Sequence, residues 1–209
     1  MLFYDHSLEI VMETHPDADH IGGLSLVVDR YQVGRFIEPG VYSSTTVDSL
    51  LIQDIEKRGV QHIIARRGMV INLGGGAKLS ILFPDRNMAA AETNEASIVA
   101  KLQYGTTSFL FTGDSPQDIE DYLISLDSSK LQSTVLKVGH HGSKFSTSPE
   151  YAAAVHPQFA VISVGIKNTY GHPSPEAIAH LNAVGAEIDM TENEGTIVYK
   201  SDGTTVTKE

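Results

Sequence analysis

The stretch His15-Pro16-Asp17-Ala18-Asp19-His20-Ile21-Gly22-Gly23-Leu24 places two imidazoles and two carboxylates within six residues. A helix would distribute these side chains around its circumference, whereas a tight loop containing Pro16 can turn them toward one point. Neutral imidazole and carboxylate suit a borderline-hard divalent cation. The chain has no cysteine, so no thiolate draws the site toward softer ions and no disulfide can form. Four candidate ligands exceed what one tetrahedral ion usually takes from a single loop. The stretch therefore reads as half of a two-metal site.

Around it the pattern alternates between strand and helix. Residues 9–13 predict a strand running into the loop. Residues 22–31 predict a helix with Leu24, Leu26, Val27 and Tyr31 on its apolar side, and Asp19 could cap it as well as bind metal. A short strand is expected over 32–37. An amphipathic helix follows over 46–58, with Val47, Leu50, Leu51 and Ile55 at helical spacing. Strands are expected over 60–65, 69–72 and 77–83, then a hairpin of 97–104 and 107–112 turning at Gly105. Helices over 114–126, 149–155 and 175–184 alternate with strands over 133–138, 159–164 and 186–189. Strands over 195–199 and 204–207 close the chain. Mixed strands with helices covering their faces predict a layered α/β arrangement, read as one domain over residues 1–209.

Three further candidate ligand groups fall at or just beyond predicted strand ends, where a sheet presents chemistry on loops. Thr112-Gly113-Asp114 follows the apolar run Phe109-Leu110-Phe111. Asp114 reads either as a metal ligand able to bridge two ions or as a helix N-cap before Ser115-Pro116. In Gly139-His140-His141-Gly142-Ser143-Lys144, neighbouring side chains cannot easily serve one ion from the same side. His140 is therefore assigned as the ligand. His141 is left as a support to the ligands, a substrate-facing group able to protonate a leaving group, or a structural residue. His172, in Asn168-Thr169-Tyr170-Gly171-His172-Pro173, is a ligand candidate in company and a solvated loop histidine alone. His6, His62, His156 and His180 have no such context and read as surface or packing residues.

The formal net charge of −11 argues against broad phosphate neutralisation along a nucleic acid. The charge is uneven, however. Lys137, Lys144 and Lys167 face only Glu150 between residues 137 and 172, which is compatible with a phosphate substrate. Ser143, Lys144, Lys167 and Asn168 are candidate phosphate contacts, with Lys144 alternatively a solvated loop lysine. No window approaches the ~20 apolar residues of a membrane span. Residues 1–6 lack a basic region followed by an apolar run, so no secretion signal is read there and a cytoplasmic location is the default expectation.

With these residues in hand, the chain resembles the metallo-β-lactamase-fold hydrolases, most of all the nuclease-like C-terminal domains of the ComEC-type DNA-internalisation competence proteins. The likeness runs through THPDADHIGGL (14–24), NEASIVAKLQYGTTSFLFTGD (94–114), LKVGHHGS (136–143) and YGHPSP (170–175), in that order. It implies an αββα sandwich holding two divalent ions, zinc or manganese. His15, Asp17 and His140 would hold one ion, Asp19, His20 and His172 the other, and Asp114 would bridge them. Many members carry a histidine before the strand leading to the bridging aspartate. Here Thr93-Asn94-Glu95-Ala96-Ser97 has none, so His140 would supply that imidazole, or Asn94 would brace the loop.

The resemblance further implies a hydroxide shared by the two ions and attacking phosphorus in a phosphodiester, with DNA as one substrate. Catalytic roles would fall to Asp19, Asp114, His141 and Lys144. The competing readings are a hydrolase of small phosphoesters, thioesters or lactones, and a non-catalytic binding module. Family domains usually begin with further strands before the one leading to the His15 loop. Here those strands are absent from the sequence, so the expectation is that it is a fragment, that its true start lies upstream, or that another chain or a second copy covers the exposed sheet edge.

Overall fold

The computed structural model describes residues 6–209; residues 1–5, on which most of the leader reading falls, lie outside that range. Three strands, β1 (Ser7–Met12), β2 (Gln32–Glu38) and β3 (Gln61–Ile64), form a parallel sheet in that order. The crossovers are helical. α1 (Ala18–Ile21) and α2 (Leu24–Arg30) join β1 to β2, and α3 (Thr46–Lys57) joins β2 to β3. Phe36, Leu51, Ile55 and Val28 form a core between this sheet and its helices.

A larger sheet packs on the opposite face. Its order is β10-β9-β8-β7-β6-β5-β4, from β4 (Val70–Gly74), β5 (Ala77–Phe83), β6 (Val99–Tyr104), β7 (Thr107–Phe111), β8 (Val135–Lys137), β9 (Phe159–Ile162) and β10 (Glu187–Met190). Strands β4 to β7 meander antiparallel, and β7 to β10 run parallel. Period-2 side-chain alternation explains the layering. In β1, Ile10 and Met12 turn to a core shared with Ile81 and Ala100 of the second sheet and with Ile98 just before β6, while Val11 turns to the helices.

The second sheet's other face carries α4 (Gln117–Asp127), α5 (Pro149–Val155) and α6 (Pro175–Ala183). Leu136, Ala160 and Ile162 meet Leu123, Tyr151 and Leu181 there. The alternate residues Val135, Phe159 and Val161 pack on Tyr199 and Val206 of a small hairpin, β11 (Tyr199–Ser201) and β12 (Val206–Lys208). The layers are helix, sheet, sheet, helix, as the αββα expectation required.

Several local expectations are corrected. The helix expected over 22–31 is α2, and a separate short helix, α1, precedes it across Gly22-Gly23, so Asp19 lies inside α1 rather than capping α2. Leu26 and Leu50 face solvent, 57% and 51% exposed, and Val28 takes the buried place. The strand expected over 195–199 starts only at Tyr199; before it, Thr191–Glu194 form a short helix, α7. Strand β1 is an edge of its sheet. Beside it, Ile10, Ile37 and Ile63 face Val70, Ile71 and Leu73 across an apolar groove of about 820 Å³.

Candidate metal centre

The ligand candidates all emerge from the carboxyl ends of strands. The loop after β1 supplies His15 to His20, and the turn after β7 supplies Asp114. Those after β8 and β9 supply His140, His141 and His172. Parallel strands from two packed sheets thus deliver their loops to one end of the sandwich, the usual place for ligands in open α/β sheets.

Asp17 is the N-cap residue of α1, yet its side chain makes no capping hydrogen bond. It lies 3.8 Å from His15 Nε2 instead. Asp114 is likewise no cap. α4 begins at Gln117 behind Pro116, and Asp114 Oδ1 and Oδ2 stand 3.3 Å from His20 Nε2 and 3.9 Å from His15 Nε2. His141 Nε2 is 3.2 Å from Asp19 Oδ2, 3.5 Å from Asp114 Oδ2 and 3.3 Å from His20 Nε2. His140 Nε2 is farther out, 4.0 Å from Asp114 Oδ2. The His172 ring lies beyond His140, its centroid 5.8 Å from that of His140. The structure thus gathers His15, Asp17, Asp19, His20, Asp114 and His141, and sets His140 and His172 at the margin.

Of the histidine pair, His140 is the expected ligand, while His141 lies nearer the cluster, and the backbone explains that placement. His140 and His141 both take positive φ, 47° and 54°, an arrangement uncommon outside glycine. That twist swings the second ring inward. Its Nδ1 donates to the Ser163 carbonyl at 2.7 Å, which fixes the ring and leaves Nε2 facing Asp19 and Asp114. Gly142 is required beside them, since a Cβ there would lie 2.7 Å from the Pro173 Cβ.

Electrostatics prepares the cluster for cations. Burial pushes the Asp114 carboxyl up. The close imidazoles of His20, His141 and His15 outweigh that and hold it well below the usual carboxylate range. Burial and the neighbouring His20 lower His15 to about 4, so its imidazole is neutral at pH 7, as a ligand must be. Burial, then His140 and His141, also lower His172. His15 Nε2 and Asp114 Oδ1 are buried with no hydrogen-bond partner. Buried polar atoms are rarely left so. Imidazole and carboxylate atoms that converge with buried members left unpaired suit divalent cations, and the residues present fit that group.

Thr14 and Ser97, which local spacing does not single out, hold the candidate ligands in place. The Thr14 hydroxyl is 3.1 Å from His15 Nδ1 and 3.5 Å from His20 Nδ1, touching both rings from behind. The Asp114 N–H donates to the buried Ser97 hydroxyl at 3.0 Å. Gly113, at φ +53°, permits this close approach, for a Cβ there would lie 3.0 Å from Ser97 Oγ and 3.1 Å from Thr14 Cβ. The signal was a hydroxyl residue immediately before His15 and another closing the turn before β6. Asn94 is not a brace through its carbonyl, since Oδ1 is buried without a partner.

The expected phosphate contacts divide. Lys144 and Lys167 are exposed, with Lys144 Nζ over the Phe145 ring, 5.0 Å from its centroid. Ser143 is 2% exposed, and its hydroxyl accepts the Phe145 N–H, which removes it from any open surface. Asn168 lines the cleft, but its amide clamps its own loop. Oδ1 accepts the His172 N–H at 3.0 Å and Nδ2 donates to the His172 carbonyl at 2.8 Å. The cleft, about 400 Å³, lies between Asp19 and His141 on one side and Tyr170 and His172 on the other. His62 Nε2 pairs with the buried Glu38 carboxylate at 3.1 Å, and His180 Nδ1 donates to the Thr147 carbonyl at 2.8 Å.

The sequence model of the metallo-beta-lactamase superfamily matches residues 7–165. The chain belongs to this superfamily. It is similar to ComE operon protein 3 of Bacillus subtilis, 31% identical over 193 residues that cover 92% of this chain and 24% of that protein. It is also similar to the competence protein ComA of Neisseria gonorrhoeae, 28% identical over 192 residues, covering 92% of this chain and 25% of that protein. The chain therefore spans about a quarter of the length of these relatives. Among solved structures it shares its fold with Igni18, a metallo hydrolase from Ignicoccus hospitalis. The TM-score is 0.52 at 16% identity, covering 88% of this chain and 76% of the other. Superfamily members are generally metal-dependent hydrolases. Among the described residues no helix is long and apolar enough to cross a membrane.

Proposed function

We propose that the chain is a metal-dependent phosphodiesterase that works with two divalent cations, zinc or manganese, and acts on DNA or another nucleic acid. The observation that carries the reading is the convergence of His15, Asp17, Asp19, His20, Asp114 and His141 from three loops, with orphaned buried acceptors at its centre. His15, Asp17 and Asp114 would hold one ion, and Asp19, His20 and His141 the other. Asp114 faces both groups, and His140 and His172 close the open side. When bound, the ions supply Lewis acidity toward a phosphoryl oxygen and activate water near neutral pH.

The chain's own residues do the rest. Lys144 and Lys167, exposed on the ligand loops, attract the phosphodiester as positive points on an acidic body. The Asn168 clamp keeps the His172 loop at a fixed height above the cleft. Ser163 holds the proton of His141 on Nδ1, so Nε2 stays an acceptor. The likeness to competence proteins supports a nucleic acid over other esters.

The test is turnover of bis(p-nitrophenyl) phosphate, a single-stranded oligonucleotide and a thioester, together with metal content after purification without chelator. Close to two ions per chain and phosphodiester turnover are expected, with both abolished in Asp114→Ala. His141→Ala should lose more bound metal than His140→Ala. An Asp114→Ala variant with wild-type turnover removes the bridging role. Thioester turnover alone replaces the phosphodiesterase reading, and no bound metal leaves a binding module.

A further inference from the structure

Three large apolar side chains project into solvent from the loops that carry His140, His141 and His172. Phe145 is 63% exposed, Ile166 78% and Tyr170 82%. Single exposed apolar residues are ordinary, but of these three Tyr170 also lines the cleft beside the candidate ligands. Tyr170 is the best placed of them. It lines the cleft with Asp19 and His141, and its ring lies 6.0 Å from that of His172 with only 18° between the planes. The backbone on either side of Tyr170 is tied through Asn168, which bonds to Gly165 and His172.

A lysine neighbours each aromatic loop segment. Lys144 lies over Phe145, and Lys167 sits three residues before Tyr170. Aromatic faces with interspersed cations are the means by which proteins hold unpaired nucleobases without reading their sequence. A duplex offers no such face, because its bases are already stacked on one another. The net charge of −11 makes a non-ionic contribution necessary for any long phosphate polymer.

Building on the phosphodiesterase reading, we infer that Tyr170 is a stacking platform for a nucleobase next to the scissile phosphate, so that the substrate is single-stranded nucleic acid. It acts as a specificity residue.

The experiment measures binding of the full chain, in chelator so that nothing is cleaved, to three fluorescent probes. These are a short oligothymidylate, an abasic oligomer with the same phosphates, and a blunt hairpin duplex. The wild type should prefer the oligothymidylate to both others by roughly tenfold. Tyr170→Ala should lose that preference while binding the abasic oligomer as before, and Tyr170→Phe should keep it. Equal affinity of the wild type for thymidylate and abasic probes overturns the inference, as does a preference that survives Tyr170→Ala. Equal affinity for the duplex overturns the single-strand assignment. Wild-type turnover of bis(p-nitrophenyl) phosphate with metal restored is measured alongside. Its absence refutes the phosphodiesterase reading, while turnover without base preference refutes the stacking platform alone.

Discussion

Asp114 and Glu13 are both 4% exposed, and each has a buried carboxylate oxygen without a hydrogen-bond partner. Burial raises the proton affinity of both, yet they end on opposite sides of neutrality. Asp114 faces His20, His141 and His15 and is held ionised. Glu13 is raised to about 8 by burial first, and then by the charges of Glu38 and Asp48. The same desolvation therefore yields an anion waiting for cations in one place and a neutral acid in the other. The sign of the neighbours decides which, and that sign separates the candidate metal centre from the structure around it.

Metal binding should give the largest contrast. Returning zinc or manganese to chelator-treated protein, at about a thousand times the dissociation constant, stabilises the fold by ~4 kcal/mol. Thermal melts should show that shift in the wild type and in Glu13→Gln, and not in Asp114→Asn. A Glu13→Gln variant that fails to respond to metal would make Glu13 part of the centre and erase the contrast.

The half of this contrast built on Asp114 was legible in the sequence, and the Glu13 half was not. His15 to His20 are close in the chain, and Gly113-Asp114 ends an apolar strand, so local spacing marks them as candidates. The layering was legible for the same reason, because alternation in β1, β8 and β9 is itself a local signal. Glu13 reads as the last residue of a strand. Only β2 and α3, which bring Glu38 and Asp48 beside it, make it unusual. The choice between His140 and His141 was equally closed to inspection, because it depends on two positive φ angles and on the Ser163 carbonyl from a strand end twenty-two residues away. Ser143 looked like a phosphate contact until the loop folded over it. Long-range packing decided each case that spacing left open.

The pH dependence of the metal-free protein should show the next effect, on the order of a few kcal/mol. Glu13 and Glu120 are raised from 4.5 to about 8 and about 7, chiefly by burial. The folded chain therefore keeps protons that the unfolded chain releases. Their contribution is fully present below about pH 4.5 and is lost as pH rises through the folded values. Glu120 is largely exhausted by pH 7, so the decline from 7 to 8 reports chiefly on Glu13. Urea titrations at intervals across this range should show Glu13→Gln flattening that last part. An unchanged slope would mean that Glu13 is ionised in the fold and resembles Asp114 after all.

The smallest effect concerns how the two carboxylates are held. The Glu13 N–H donates to the Ile37 carbonyl at 3.0 Å, an extension of the β1–β2 pairing that no side-chain substitution removes. The Asp114 N–H donates instead to a side chain, the Ser97 hydroxyl. Ser97→Ala leaves that buried donor unsatisfied and should destabilise the protein by about 1–2 kcal/mol. Because the lost contact anchors the residue facing both groups of ligands, metal affinity should fall with it, by roughly tenfold. Ser97→Thr keeps a hydroxyl and should recover part of both. The two losses need to appear together. A stability loss with wild-type metal affinity would show that Asp114 is positioned by the imidazoles around it rather than by the turn beneath.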